Sequence, residues 1–139
     1  VKPLPRSERP LVVRTDFSSE KRWNLLQQVL EPDERHSFTS YVEFVDDPAY
    51  RDVAPERFLE LVSADGPGAG FLFVADRIAL LDDEFPLVVL GLSRYKERGT
   101  TFRTCAFEVD AVSGNLSVCH MGFDEFAEAV DPDGVFRGF

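Results

Sequence analysis

A chain of 139 residues, 44% of them hydrophobic and 13 of them Phe, suits one domain that buries roughly 68–70% of its unfolded surface, which excludes wholesale disorder. Lys and Arg number 15 against 25 Asp and Glu, for a formal net charge of −10. Such a chain is repelled by phosphate backbones and anionic lipid, so neither nucleic acid nor a membrane surface is an expected partner.

The first ten residues hold Pro3, Pro5 and Pro10. They block a helix and favour polyproline geometry, so residues 1–9 are expected as an extended arm ahead of a single domain over residues 10–139. This start lacks the apolar core of a secretory signal, and no apolar run approaches the ~20 residues that span a bilayer, so a soluble cytoplasmic protein is expected. Leu11–Thr15 is apolar at consecutive positions, the pattern of a strand covered on both faces. Ser18 or Ser19 then caps a helix, with Glu20 well placed in its first turn. Trp23, Leu26, Val29 and Leu30 recur at helical spacing as its buried stripe, and Pro32 stops it.

After the polar loop Asp33–Ser37 comes a second strand, Ser40–Val45, ended by Asp46-Asp47-Pro48. Pro55 opens a second helix whose apolar face is Phe58, Leu61 and Val62. The glycines and proline of Ala64–Gly70 mark a turn before a third strand, Phe71–Ala75. A short helical segment, Ile78–Leu81, leads to a fourth strand, Leu87–Leu92. Ser93–Gly99 is too short for a crossover, so Thr100–Phe107 returns antiparallel as the fifth strand. Glu108–Ser113 fits either helix or strand, and Leu116–Cys119 is a short apolar run. Phe123, Phe126, Ala127 and Val130 space out a last helix. Asp131-Pro132-Asp133-Gly134 is a turn, after which Val135, Phe136 and Phe139 are expected to pack back on the body. The fold class is α/β: a mixed, mostly parallel sheet with flanking helices, the last two main strands forming an antiparallel hairpin, and a C-terminal helix.

Three strands leave through aspartate: Arg14-Thr15-Asp16, Val45-Asp46-Asp47 and Ala75-Asp76. In open α/β sheets ligands bind beyond the carboxyl ends of strands. Asp16, Asp46, Asp47 and Asp76 are therefore candidate ligand-binding residues. Asp16, Asp47 and Asp76 could hold Mg²⁺ through oxygen, or two of them could share a proton. The competing reading is local, because Asp at a strand exit also starts turns and caps helices. Arg14 and Glu43 are charged residues in apolar strands. They are either a cleft-lining pair that orients a polar ligand, or a structural ion pair or snorkelling edge residues.

His120 is a further candidate ligand-binding residue, and beside Cys119 it invites a Cys/His nucleophile, but neighbours on a strand point to opposite faces, which argues against a direct thiol–imidazole pair. Two histidines, His36 and His120, without CxxC or HxxxH do not suggest zinc. Cys105 and Cys119 sit in apolar contexts and are expected as free thiols. Arg94, Lys96 and Arg98, with Tyr95 among them and Arg103 on the next strand, form a basic hairpin tip that could grip an anion or could simply be solvated. Gly66, Gly68 and Gly70 precede a strand and so lack the context of a nucleotide loop.

Taken together, VVRTDF at 12–17, YVEFVDDP at 41–48, FLFVAD at 71–76, NLS at 115–117 and Phe123–Phe139 resemble an uncharacterised family of small acidic actinobacterial proteins, a domain of unknown function. The resemblance runs from about Pro10 to the end. It implies a bacterial cytosolic protein and transfers no catalytic residues. The family pattern places Asn-Met-Asp-Phe ahead of the last helix, where this chain has His120-Met121-Gly122-Phe123. The expected function is a non-catalytic module that binds a protein partner or small ligand, as a monomer or homodimer and without a cofactor. The alternatives are a small enzyme using the strand-end carboxylates, with Mg²⁺ or as acid and base, and an immunity-like or regulatory protein.

Overall fold

The computed structural model describes residues 2–30, 42–62, 70–92, 98–117 and 122–139. Its strands are β1 (Leu11–Arg14), β2 (Glu43–Val45), β3 (Phe71–Ala75), β4 (Leu87–Gly91), β5 (Thr101–Thr104) and β6 (Val135–Phe136). Its helices are α1 (Glu20–Leu30), α2 (Phe58–Leu61), α3 (Arg77–Leu81), α4 (Val109–Ser117) and α5 (Phe123–Glu128), with 3₁₀ turns at Pro48–Tyr50, Pro55–Arg57 and Ala106–Glu108. The strands form one sheet in the order β2-β1-β3-β4-β5-β6. β1 is parallel to β2 and β3, and β5 to β6, while β4 is antiparallel to both neighbours.

The α/β class, the mixed sheet and the β4–β5 hairpin are as the sequence implies, but "mostly parallel" is loose because antiparallel pairing already begins at β3–β4. The cause is the Asp76–Pro86 link. A parallel crossover needs about a dozen or more residues to return to the far edge of the sheet. This link carries only the short α3 and folds back on the edge it left.

Consecutive burial marks the inner strands, with every residue of β1, β3 and β4 buried. Alternate side chains feed two cores. On one face Val12, Phe73 and Val89 meet Trp23, Leu26 and Leu30 of α1, Val109 and Val112 of α4, and Phe123 and Phe126 of α5. On the other, Val13, Leu72, Val74 and Leu90 meet Tyr50, Phe58, Leu61 and Leu4. The N-terminal arm holds no helix or strand but is not free. Leu4 is buried, its N–H bonds the Leu61 carbonyl at 2.7 Å, and the Tyr50 hydroxyl donates to the Pro3 carbonyl at 2.8 Å.

Several local expectations shift. Val29 is 38% exposed, since it lies roughly 90° round α1 from the centre of the Trp23–Leu26–Leu30 stripe. The fifth strand stops at Thr104, and the chain turns into the 106–108 segment, leaving Phe107 73% exposed. The ambiguous 108–113 stretch is helical, because Val109, Val112 and Leu116 all face the first core. Leu116 and Ser117 therefore end a helix rather than open a strand. Residues Ser40 and Tyr41 of the second strand, and Val118 and Cys119, lie outside the described residues. Among the described residues no helix is long and apolar enough to cross a membrane.

The C-terminus closes the first core. Gly134 takes φ +84 in the turn after α5, a conformation that favours glycine. Phe136 and Phe139 then pack on Phe126 at centroid distances of 5.1 and 5.6 Å. Arg137 locks this end by donating to Glu84 (2.8 Å), Asp131 (2.7 Å) and Asp133 (2.6 Å). The Arg137 hydrogen bond holds the Asp133 carboxyl below its usual value, helped by the Val135 N–H and opposed by desolvation. A depressed carboxylate stabilises the fold above its unfolded pKa, about 3.9, and that contribution is lost as pH falls through the lower folded value. The urea midpoint of Arg137→Gln is therefore expected below that of the parent at neutral pH, with the gap narrowing below about pH 4. A gap that stays constant to acid unfolding would contradict this.

Candidate functional site

Because β1, β2 and β3 are parallel, their carboxyl ends share one edge of the sheet. The chain winds from β1 to one side and from β3 to the other, so the gap between them is a topological switch point. Arg14 stands there, 2% exposed. Its Nε donates to the Asp16 carbonyl at 2.9 Å, and its Nη1 donates to Glu20 at 2.9 Å and Asp46 at 3.2 Å. The guanidinium lies 4.3 Å over the Phe17 ring and 5.4 Å from the Trp23 ring centre. A weakly hydrated, planar cation is the basic group best suited to such a place, since it stacks and hydrogen-bonds at once. Arg14 so ties β1, α1 and the exit of β2 together. Glu43 is not its partner: it is exposed on β2, in register with Leu11.

Each strand-end aspartate has its own engagement. Asp16, buried, accepts from the Ser18 hydroxyl at 2.8 Å and from the Ser18 N–H at 3.4 Å. Asp47 caps the 48–50 turn through the Ala49 N–H at 2.9 Å and pairs with Lys2. The Lys2 hydrogen bond lowers the Asp47 carboxyl, and the same contact raises the Lys2 ammonium. Asp76 caps α3 through the Ala79 N–H at 3.0 Å and receives both Nη atoms of Arg103, at 3.0 and 2.7 Å. Among the described residues no group of three or more His, Cys, Asp or Glu is placed to share a metal ion.

Arg103 and Lys2 are the partners that sequence reasoning missed, one facing Asp76 across three strands and the other brought in by the arm. Arg98, from the basic hairpin, bonds the Leu92 and Leu59 carbonyls at 3.2 and 3.3 Å. His120, His36, Cys119, Arg94, Tyr95 and Lys96 lie outside the described residues. Cys105 is buried, and desolvation pushes its thiol up, away from the reactive thiolate.

An open cleft of about 510 Å³ lies beside β2, lined by Glu43, Phe44, Val45, Asp46 and Asp47 and by Lys2, Pro3, Pro5 and Tyr50. Alternate strand side chains leave by opposite faces. That all three residues of β2 line this one space therefore places it along the strand's edge, with Asp46 and Asp47 continuing it past the strand's end.

A family model described as Domain of unknown function (DUF6924) matches residues 9–139. The chain belongs to that family. No curated protein and no solved structure matches it. The DUF6924 match takes in Arg14, Glu43 and all four strand-end aspartates, whereas the cleft residues Lys2, Pro3 and Pro5 precede it. At the start of α5, where the resemblance places Asp, Gly122 is the N-cap and its N–H bonds the Glu125 carboxylate at 2.7 Å. A Cβ there would stand 2.7 Å from an Asp124 carboxylate oxygen. An Asp in place of Gly122 would thus require the Asp124 side chain to swing away.

Proposed function

We propose that this DUF6924 chain is a non-catalytic binding module that takes a protein segment or small ligand in the cleft beside β2. The observation that carries the reading is the run Glu43–Asp47, which lines a cleft of about 510 Å³, within the range of roughly 300–1,000 Å³ usual for ligand sites. The carboxylates at the strand ends are meanwhile engaged by Arg14, Arg103, Lys2, Ser18 and backbone N–H groups. The module works as a soluble cytoplasmic protein without a cofactor, and its net charge of −10 turns it away from nucleic acid and anionic membranes.

The test is an amide-resolved NMR screen of small fragments and short peptides. Shifts clustered on Lys2, Glu43–Asp47 and Tyr50 are expected. Hits clustered elsewhere, or turnover of a substrate that Asp16→Ala abolishes, would overturn the reading.

A further inference from the structure

Resting on that cleft, we propose that its occupant is a basic, extended segment of a partner protein that adds to the sheet as a strand beside β2. β2 is outermost in the sheet, and among the described residues no strand pairs with its outer side. The Glu43 N–H bonds the Pro10 carbonyl at 3.0 Å, so Glu43 and Val45 turn their backbone groups toward β1. By alternation the N–H and C=O of Phe44 point outward, into the cleft.

An unpaired edge is a template for another strand, and proteins usually blunt it with Lys, Pro or a bulge. β2, reading Glu43-Phe44-Val45, has no Lys, Pro or bulge of its own; among the described residues it is protected only by its three-residue length and by Lys2, Pro3 and Pro5 of the arm, which stand beside it across the open cleft. Its charges are carboxylates: Glu43 on the strand, then Asp46 and Asp47 at its exit. Lys2 shows the complementary chemistry within the chain itself, since its ammonium reaches across the cleft wall to Asp47.

The same charges select among occupants. A second copy docking edge to edge would set Glu43, Asp46 and Asp47 against their own equivalents, in a protein of net charge −10, and like charges across paired strands destabilise. A segment with Lys or Arg at alternate positions presents a cation to Glu43, the exposed carboxylate on β2 itself, while Asp46 and Asp47 stay with Arg14 and Lys2.

The probe is a capped Lys-Val-Lys-Val-Lys-Val peptide, titrated into the full chain by NMR, with Glu-Val-Glu-Val-Glu-Val as control. Binding of the basic peptide only is expected, weakened by salt. Exchange of the Phe44 amide hydrogen should slow by about tenfold at saturation. Glu43→Lys, at an exposed position, should weaken binding by about threefold. Methylating alternate peptide nitrogens should abolish binding in one of the two possible sets and spare it in the other, because only one set faces β2.

Equal binding of both methylated sets would mean adhesion by charge alone and would overturn the proposal, as would a free protein that dimerises through β2. A cleft that takes fragments but not the basic peptide would overturn the added strand while leaving the binding reading intact. A cleft that takes neither would overturn both.

Discussion

Arg14→Ala is expected to lower unfolding stability by about 3 kcal/mol, read from urea melts at neutral pH. The guanidinium is 2% exposed, and its loss removes hydrogen bonds to Asp16, Glu20 and Asp46 and the stacking on Phe17. The effect stays at the low end of the roughly 3–5 kcal/mol seen on breaking buried pairs, because the side chains of Glu20 and Asp46 are 68% and 45% exposed and water takes them over. Arg14→Lys should still cost about 2 kcal/mol, since a compact, strongly hydrated ammonium neither stacks on two rings nor reproduces the planar fork whose Nε and Nη1 reach separate acceptors. A neutral or stabilising Arg14→Ala would show that Arg14 is held there at the expense of the fold, as residues kept for function often are.

Trp23 carries the second large effect. It is 1% exposed and meets Phe44 edge-on at 5.8 Å. Trp23→Ala is expected to cost about 4 kcal/mol, from lost burial and the cavity left between α1 and the sheet. Trp23→Phe should cost far less, about 1–2 kcal/mol. Among the described residues the buried indole Nε1 has no hydrogen-bond partner, so Phe forfeits volume but no hydrogen bond to them. If Trp23→Phe proves as damaging as Trp23→Ala, the indole N–H has a partner and the packing account is wrong. Because Trp23 and Arg14 share contacts, the double variant should be less destabilised than the sum of the singles.

What could be read from the chain was local. Phe71–Ala75 is a strand because five consecutive apolar residues, three of them aromatic or β-branched, suit burial on both faces. Asp47 and Asp76 cap the turns that follow them through contacts two and three residues away. Such chemistry is written in adjacent letters.

What could not be read depends on partners brought together by register. Arg103 reaches Asp76 only once β4 pairs with both β3 and β5, and no periodicity encodes that meeting. The docking of the arm was not legible, because Leu4 finds Leu61 and Pro3 finds Tyr50 only after the second face is assembled. β6 was missed because Val135–Phe136 is too short to show a period, although packing of the C-terminal aromatics onto the body was foreseeable from their apolarity. As for the site, the carboxylates at the strand ends stood out in the sequence. The cleft did not, because it is formed by the arm meeting the edge of β2.

The central claim is that the strand-end carboxylates serve the fold and leave binding to the β2 edge. Its most direct test is thermal unfolding of the chain with and without millimolar Mg²⁺, Mn²⁺ or Ca²⁺, repeated on Asp16→Ala. A cation bound specifically to the native state raises the melting temperature by mass action. The account predicts no rise in the parent chain. A rise that disappears in Asp16→Ala would contradict it and return the site to the carboxyl ends of the parallel strands.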